Sequence, residues 1–295
     1  MATRPVFVAE INTSLFSVYN AEFIWAGGFA LSQKQKNIAS IHECFTRRYP
    51  SKKVLEISSK STDSIGISAS AFNLKKYVPS LNRSIPLENV FQGSKVFRSG
   101  GPFIDLFEKQ PIEAKRDERL KSSGSLVKFH FEGVDYPLIP QTIFYDFIYI
   151  NALKENPEIA NEILKYDGFT DIAFNPEKSI NCQARSAAIF VSLSRQGILD
   201  RTDNFESFLS LFLRKNTSKA ATSHEHNTPA PITSTAPVET KPDIKEGDMI
   251  IHRVFGEGCV VSVSSCIKIV FESVGEKTLG LDWTIQNCEI KHKEK

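Results

Sequence analysis

Apolar side chains recur at helical intervals in several stretches of this chain and alternate with polar ones in others, and the two patterns divide it into elements. Ile38, Ile41 and Phe45 share one helical face. They predict a helix opened by Ser32-Gln33-Lys34-Gln35, a capping box with Ser32 as N-cap, and closed near Tyr49-Pro50. Lys53–Ile57 (KVLEI) reads as a short strand, and Pro86 suits the first turn of a helix running on through Glu88. Ser125–Phe131 alternates as a half-buried strand does. Thr142–Leu153 predicts a helix stopped at Asn156-Pro157, where another starts. Ala184, Ala187, Ala188 and Val191 line one face of a helix over Gln183–Gln196, ended by Gly197. Asp203–Leu213 is a last amphipathic helix. The sum is an α+β domain, mainly helical with a few short strands.

The pattern then fails. Asn216–Pro242 reads NTSKAATSHEHNTPAPITSTAPVETKP, with no aromatic residue. Such a stretch buries too little apolar area to offset its ordering entropy, so residues 215–244 are expected to be a disordered linker. From 245 to 295 short apolar runs return. Val254-Phe255 and Cys259-Val260-Val261 flank a glycine-containing turn, Ile267–Phe271 alternates, and Lys277–Leu281 offers another strand. Four or five short strands in so few residues predict a small β-barrel. The expected organisation is therefore 1–214, a linker at 215–244, and 245–295.

Composition narrows the class. With 295 residues, 41% hydrophobic and 24% charged, the chain is that of a globular protein, with an unusual 22 phenylalanines. A net charge of +2 leaves any nucleic-acid site to a local patch. From Lys245 onward seven Lys/Arg face eight Asp/Glu, which argues against the C-terminal module gripping a phosphate backbone. The five cysteines are widely spaced, with no Cys-x-x-Cys and no zinc pattern among Cys and His. Met1-Ala2-Thr3-Arg4-Pro5 lacks the apolar run of a signal peptide, and no segment reaches the roughly 18 apolar residues of a membrane span. A reduced, cytoplasmic protein is expected.

Candidate chemistry centres on Leu87–Phe97. At helical spacing Glu88, Gln92 and Lys95 put an acid, an amide and an amine on one stripe. Taken alone, that stripe is either a solvated face or the edge of an active site. Ser58-Ser59-Lys60-Ser61, following a predicted strand, is either a polar loop or a phosphate-binding turn, and it lacks the glycines of a P-loop. Asp167 and Asp171 bracket a loop, and Asn181 opens a helix.

In combination these residues resemble the NADAR (YbiA-like) family. Ser70-Ala71-Phe72-Asn73, followed by Glu88-x-x-x-Gln92-x-x-Lys95, is similar to its signature of a Ser-Asn-Phe segment before a helix carrying Glu, Gln and Lys. Asp171-Ile172-Ala173-Phe174-Asn175 resembles the family's Asp-x-x-Trp-Gly, with Phe174 for Trp and Asn175 for Gly, and Asn181 stands where its later Asn falls. The resemblance covers most of residues 1–200. It is closest to the antitoxins encoded beside DarT-type DNA ADP-ribosyltransferases. A second resemblance, through Gly247-Asp248-x-Ile250-x-His252-x-x-Phe255-Gly256-Glu257-Gly258, is to the tudor-like terminal module of UvrD/PcrA helicases, and implies a protein partner such as RNA polymerase.

The first resemblance implies an N-glycosidase that removes ADP-ribose from guanine in single-stranded or flipped-out DNA, or in RNA, with a DarT-type toxin as functional partner. Glu88 would then work the glycosidic bond as acid/base, Lys95 would attack the opened ribose or stand as a positive neighbour, and Asp171 would be a second carboxylate. Gln92 and Asn73 would orient ribose hydroxyls, and Ser59, Lys60 and Ser61 would hold the pyrophosphate. Phe174 and Asn181 would complete the ligand contacts. No metal or cofactor is implied. Two other readings stand beside it: a module that binds ADP-ribose or neutralises a toxin without catalysis, and a glycosidase of small phosphoribosyl compounds. If the first domain works alone, deleting residues 216–295 leaves its turnover unchanged in a cleavage assay; complete loss would refute that independence.

Overall fold

In the computed structural model the described residues are 1–11, 15–175, 183–213, 244–252, 256–263, 266–271, 275–280 and 289–291. They fall into two compact units, Met1–Ser223 and His224–Lys295. The expected linker lies almost wholly outside the described residues. Among them, no helix is long and apolar enough to cross a membrane.

The first unit is α+β, and its strands are more extensive than the periodicity suggests. β1 (Ala2–Ala9) and β2 (Phe16–Phe23) form an antiparallel pair in register from Ala2 opposite Phe23 to Ala9 opposite Phe16. That hairpin is absent from the sequence expectation. β9 (Gly168–Thr170) pairs antiparallel with β1 and parallel with β3 (Val54–Glu56), giving a sheet of order β2-β1-β9-β3. Alternation gives this sheet two apolar faces. Val6, Val8, Ala21 and Phe23 pack on Ile38, Ile41 and Phe45 of α1 (Leu31–Arg48). Phe7, Leu55 and Phe169 face the main core, with α6 (Ile143–Glu155) and α8 (Gln183–Arg195). Ala184, Ala187 and Ala188 of α8 are fully buried, as small residues must be where elements approach closely.

Helix α1 starts one residue before the expected N-cap. Ala30 holds the cap position and Ser32 sits inside the first turn, with no side-chain cap. A tertiary contact sets this start. The buried Asn37 side chain accepts from Ala26 N–H (2.7 Å) and donates to Ala26 C=O (3.0 Å), fixing the incoming loop against the helix.

β4 (Lys75–Val78) and β5 (Arg83–Pro86) form a hairpin, and β6 (Lys95–Phe97), β7 (Leu126–Phe131) and β8 (Val134–Tyr136) an antiparallel sheet. The second unit is an antiparallel sheet of order β13-β12-β11-β10-β14, over Met249–His252 (β10), Gly256–Val263 (β11), Cys266–Phe271 (β12), Gly275–Gly280 (β13) and Glu289–Lys291 (β14). Gly256 and Gly258 are not a turn but strand residues, opposite His252 and Ile250. β13 and β14 stand at the two edges, and the described residues show this five-stranded order without a pairing that would close it into the expected barrel.

Gly101 ties a loop to β6. Its φ is +91°, and a Cβ added there would lie 2.2 Å from the Lys95 carbonyl oxygen. Glycine meets both demands without strain. Gly101→Ala is expected to cost about 2–3 kcal/mol, measured by urea unfolding; an unchanged midpoint would show that the loop re-forms without this approach.

Candidate active site

Helix α3 (Leu87–Gly93) is seven residues long and buried on every side. Too short to stand alone, it is held by its surroundings. Leu87 N–H donates to Leu74 C=O and Glu88 N–H to Ala71 C=O, both at 2.9 Å. Asn89 Nδ2 donates at 2.7 Å to both the Leu106 and Lys109 carbonyls. The helix stops at Gly93. Ser94 N–H and Oγ–H both turn back to Val90 C=O (3.0 and 2.7 Å), and His130 N–H claims the Ser94 carbonyl (2.7 Å). Pro86 is the cap position, and Lys95 lies on β6 opposite Phe129. The expected single helical stripe is thus wrong for Lys95: strand pairing with β7 takes over where the helix would have continued.

The three polar ends still meet. Gln92 Nε2 donates to Glu88 Oε1 at 2.9 Å, and Lys95 Nζ donates to Gln92 Oε1 at 2.7 Å. The amide, offering a donor on one side and an acceptor on the other, separates acid from amine. Glu88 and Gln92 are 5% and 6% exposed, which removes the reading of this stripe as a solvated face. They line a cavity of about 510 Å³ together with Lys95, Ser58, Ser59, Ser70, Ala71, Phe72, Phe91, Lys115, Tyr145, Asp171, Ala173, Phe174 and Gln183.

The family model of DarT1-associated NADAR antitoxins matches residues 2–222. The chain belongs to this family. No curated protein matches it. The matched span holds every residue of the cavity of this NADAR antitoxin.

Burial dominates the charges inside. Desolvation lowers the Lys95 amine to about 8, against the pull of Glu88, and Lys115 pushes the same way as burial. The Lys95 Nζ sits 4.6 Å from the centre of the Phe91 ring. Lys115, on α4 (Pro111–Arg116), reaches Glu88 Oε1 at 3.6 Å and the Phe72 ring at 5.2 Å. Asp171 is raised to about 7, first by burial of its carboxyl and then by the charge of Glu56. Its Oδ1 accepts from Ala173 and Phe174 N–H (2.9 and 3.2 Å) and its Oδ2 from Gln183 Nε2 (3.0 Å). Gln183 Oε1 in turn accepts from Ala71 N–H (2.8 Å), so one amide joins the Asp171 loop to the segment before α3.

Behind the cavity lies Glu56, 1% exposed. Ser58 Oγ and Ile172 N–H donate to its Oε1 (2.6 and 2.8 Å), and Thr170 Oγ1 to its Oε2 (2.6 Å). His42 Nε2 lies 3.0 Å from Thr170 Oγ1, and burial lowers its pKa to about 4, so it is neutral.

Of the expected site residues, Glu88, Gln92, Lys95, Asp171, Ser59 and Phe174 line one cavity. Lys60 is exposed, its Nζ donating to Ser59 Oγ (3.1 Å). Ser61 is buried and turned away, accepting from Asp63 N–H (3.1 Å). Asn73 is exposed and outside the cavity. Its Nδ2 donates to Ile67 C=O (2.9 Å) and Ser70 Oγ (3.1 Å), closing the turn that α3 leans on. Asn181 lies outside the described residues. Sequence reasoning missed Lys115, Phe91 and Tyr145, which reach the cavity from separate elements. Gln183 had a signal, since it lies two residues beyond Asn181. Among the described residues, no group of three or more His, Cys, Asp or Glu is placed to hold a metal ion.

A raised Asp171 means that the native state keeps a proton which the unfolded chain, with an ordinary aspartate pKa of 3.8, releases. Native stability is therefore lost as pH rises between about 4 and about 7, and is flat above. Urea midpoints of wild type minus Asp171→Asn should fall across that window. A difference that does not vary with pH would place the Asp171 carboxyl in water.

Proposed function

We propose that this protein is the glycosidase of its toxin–antitoxin pair, releasing ADP-ribose from guanine bases modified by a DarT-type toxin. The observation that carries this reading is the Glu88–Gln92–Lys95 series, with a lowered lysine, inside a cavity of about 510 Å³. Members of the NADAR family are in general N-glycosidase-like hydrolases, which supports the same class of chemistry.

The scissile bond joins the guanine exocyclic nitrogen to the anomeric carbon of the distal ribose. The ribose first opens: the bond from that carbon to the ring oxygen breaks, the oxygen takes a proton, and the carbon becomes an imine of the guanine nitrogen, to which Lys95 adds as free amine. The guanine nitrogen leaves with a proton, delivered through Glu88, and an imine links sugar and Lys95. Water then adds to the imine carbon, ADP-ribose departs and the amine is restored. Gln92, fixed between the two groups, sets their separation and presents its amide to ribose hydroxyls. Ser58, Ser59 and Lys115 supply hydroxyls and positive charge for the pyrophosphate. Phe72, Phe91, Tyr145 and Phe174 supply apolar walls for the flat base.

The proton balance gives the pH dependence. With Lys95 near 8, the reactive amine is a minor form at pH 6 and the major form at pH 9, so single-turnover rates should rise about tenfold per pH unit below 7 and level off above 8. Lys95→Ala should lose about a thousandfold or more, and Glu88→Gln about a hundredfold or more. Release of ADP-ribose from a guanine-modified oligonucleotide, followed by mass spectrometry, measures both. Borohydride should trap a sugar adduct on wild type and none on Lys95→Ala. Unchanged substrate with the wild-type protein would leave a binding module instead, and equal trapping on both would move the nucleophile elsewhere.

A further inference from the structure

The loop from Ile24 to Leu31 takes no part in the cavity, yet it presents an unusual surface. Ile24 is 80% exposed, Leu31 52%, and Phe29 fully exposed. Large apolar side chains grouped this way mark a contact surface. Trp25 lies among them, half-buried against Phe23 (ring centres 6.0 Å apart). Two cations flank it: Arg4 Cζ is 5.1 Å and Lys34 Nζ 5.0 Å from the Trp25 ring centre. Neither makes an ion pair among the described residues; Arg4 Nη1 donates to Thr3 C=O (3.0 Å), and its Nε is buried with no hydrogen-bond partner. The first turn of α1 carries no acid, and Lys36 adds an exposed charge. Glu22 points away, because Ala21 and Phe23 bury on the α1 face and alternate residues of a strand face opposite sides. The surface is thus cationic and aromatic, and Asn37 holds the base of its loop in place.

Strand register locates it. β3 and β9 run parallel and end together at Glu56 and Thr170, from which the Ser58–Ser59 and Asp171–Phe174 loops enter the cavity. β1 runs the other way, so its first residues, Ala2 to Arg4, lie at that same end. Ala2 faces Phe23, the last residue of β2, so the Ile24 loop leaves from there too. β2 is two strands from β9, about 10 Å across the sheet. The aromatic surface and the cavity mouth therefore share one rim of the sheet.

We propose that this rim carries the nucleic-acid strand flanking the modified guanine: bases stack on Phe29 and Trp25, and Arg4, Lys34 and Lys36 neutralise phosphates. The idea rests on the glycosidase reading for its substrate. Its chemistry is that of a single-strand groove, where aromatic faces give affinity without sequence preference and cations give salt dependence. A second protein would also cover an apolar patch, but it would leave the two unpaired cations beside Trp25 without a stated purpose, whereas phosphates answer them.

The test compares wild type with Phe29→Ser and with Arg4→Gln/Lys34→Gln. Phe29 is fully exposed, so its replacement leaves folding intact, which circular dichroism verifies. Anisotropy of a fluorescein-labelled, unmodified single-stranded oligonucleotide should show about tenfold weaker binding for each variant, and a shallower salt slope for the double variant. Turnover of ADP-ribosylated guanine should fall with the base in an oligonucleotide and stay unchanged with it as a free nucleotide. Equal binding by all three proteins overturns the proposal, as does an equal loss on both substrates. Loss of toxin binding with oligonucleotide binding intact overturns it in favour of a protein surface. If wild type cleaves neither substrate, the glycosidase reading falls, and the anisotropy result still decides whether the rim binds a strand.

Discussion

Much of the site depends on one buried carboxylate. Glu56 ends β3 inside the protein, where an unpartnered charge is costly. Three donors satisfy it, and each belongs to a segment the cavity needs. Ser58 turns the chain out of β3 towards Ser59, Thr170 closes β9, and Ile172 fixes the loop that carries Asp171. The parallel register of β3 and β9 thus extends past the strands as a side-chain clamp. The same carboxylate raises the pKa of Asp171. Neutral His42, beside Thr170, extends the network into α1.

At Lys95 two opposed effects compete. Burial disfavours the ammonium, and Glu88 favours it. Had the two groups paired directly, Coulomb attraction in a low-dielectric site would have held the lysine charged. Gln92 prevents this by taking the place between them. Lys115 acts on both members: it sits 3.6 Å from Glu88 and adds a like charge near Lys95. Glu88 thus has a cation of its own, while the Lys95 amine is left to burial.

The residues of the site were more legible than its geometry. Short-range pattern found the KVLEI strand, the alternating strand before Phe131, and the helices at 143–155 and 183–195, because apolar spacing there matches the element period. It missed the β1–β2 hairpin. Arg4-Pro5 interrupts the first strand, and Ser17, Asn20 and Glu22 dilute the second, so neither reads as a β run until the two are paired. It placed Lys95 on a helix because spacing knows nothing of the partner strand that claims the chain after Ser94. The family resemblance gives Asn73 and Ser61 to the ligand, yet each spends its polar atoms on a local turn. Lys115 and Tyr145 were invisible for the opposite reason, since only folding brings their elements to the cavity.

That division explains how a short helix and the strand after it bring Glu88, Gln92 and Lys95 to one cavity. A continuous helix would have set Glu88 and Lys95 two turns apart, about 10 Å along its axis, with Gln92 between them on the same face. Ending α3 at Gly93 changes the direction from which Lys95 arrives. The Ser94 turn swings the chain through the close contact between Gly93 and the Phe107 ring, where a Cβ would stand 2.4 Å away, and delivers Lys95 from a strand edge. The acid and the amine then approach one cavity from two elements. Helical pitch brings Glu88 and Gln92 together, and the turn at Ser94 brings Lys95 to the same amide.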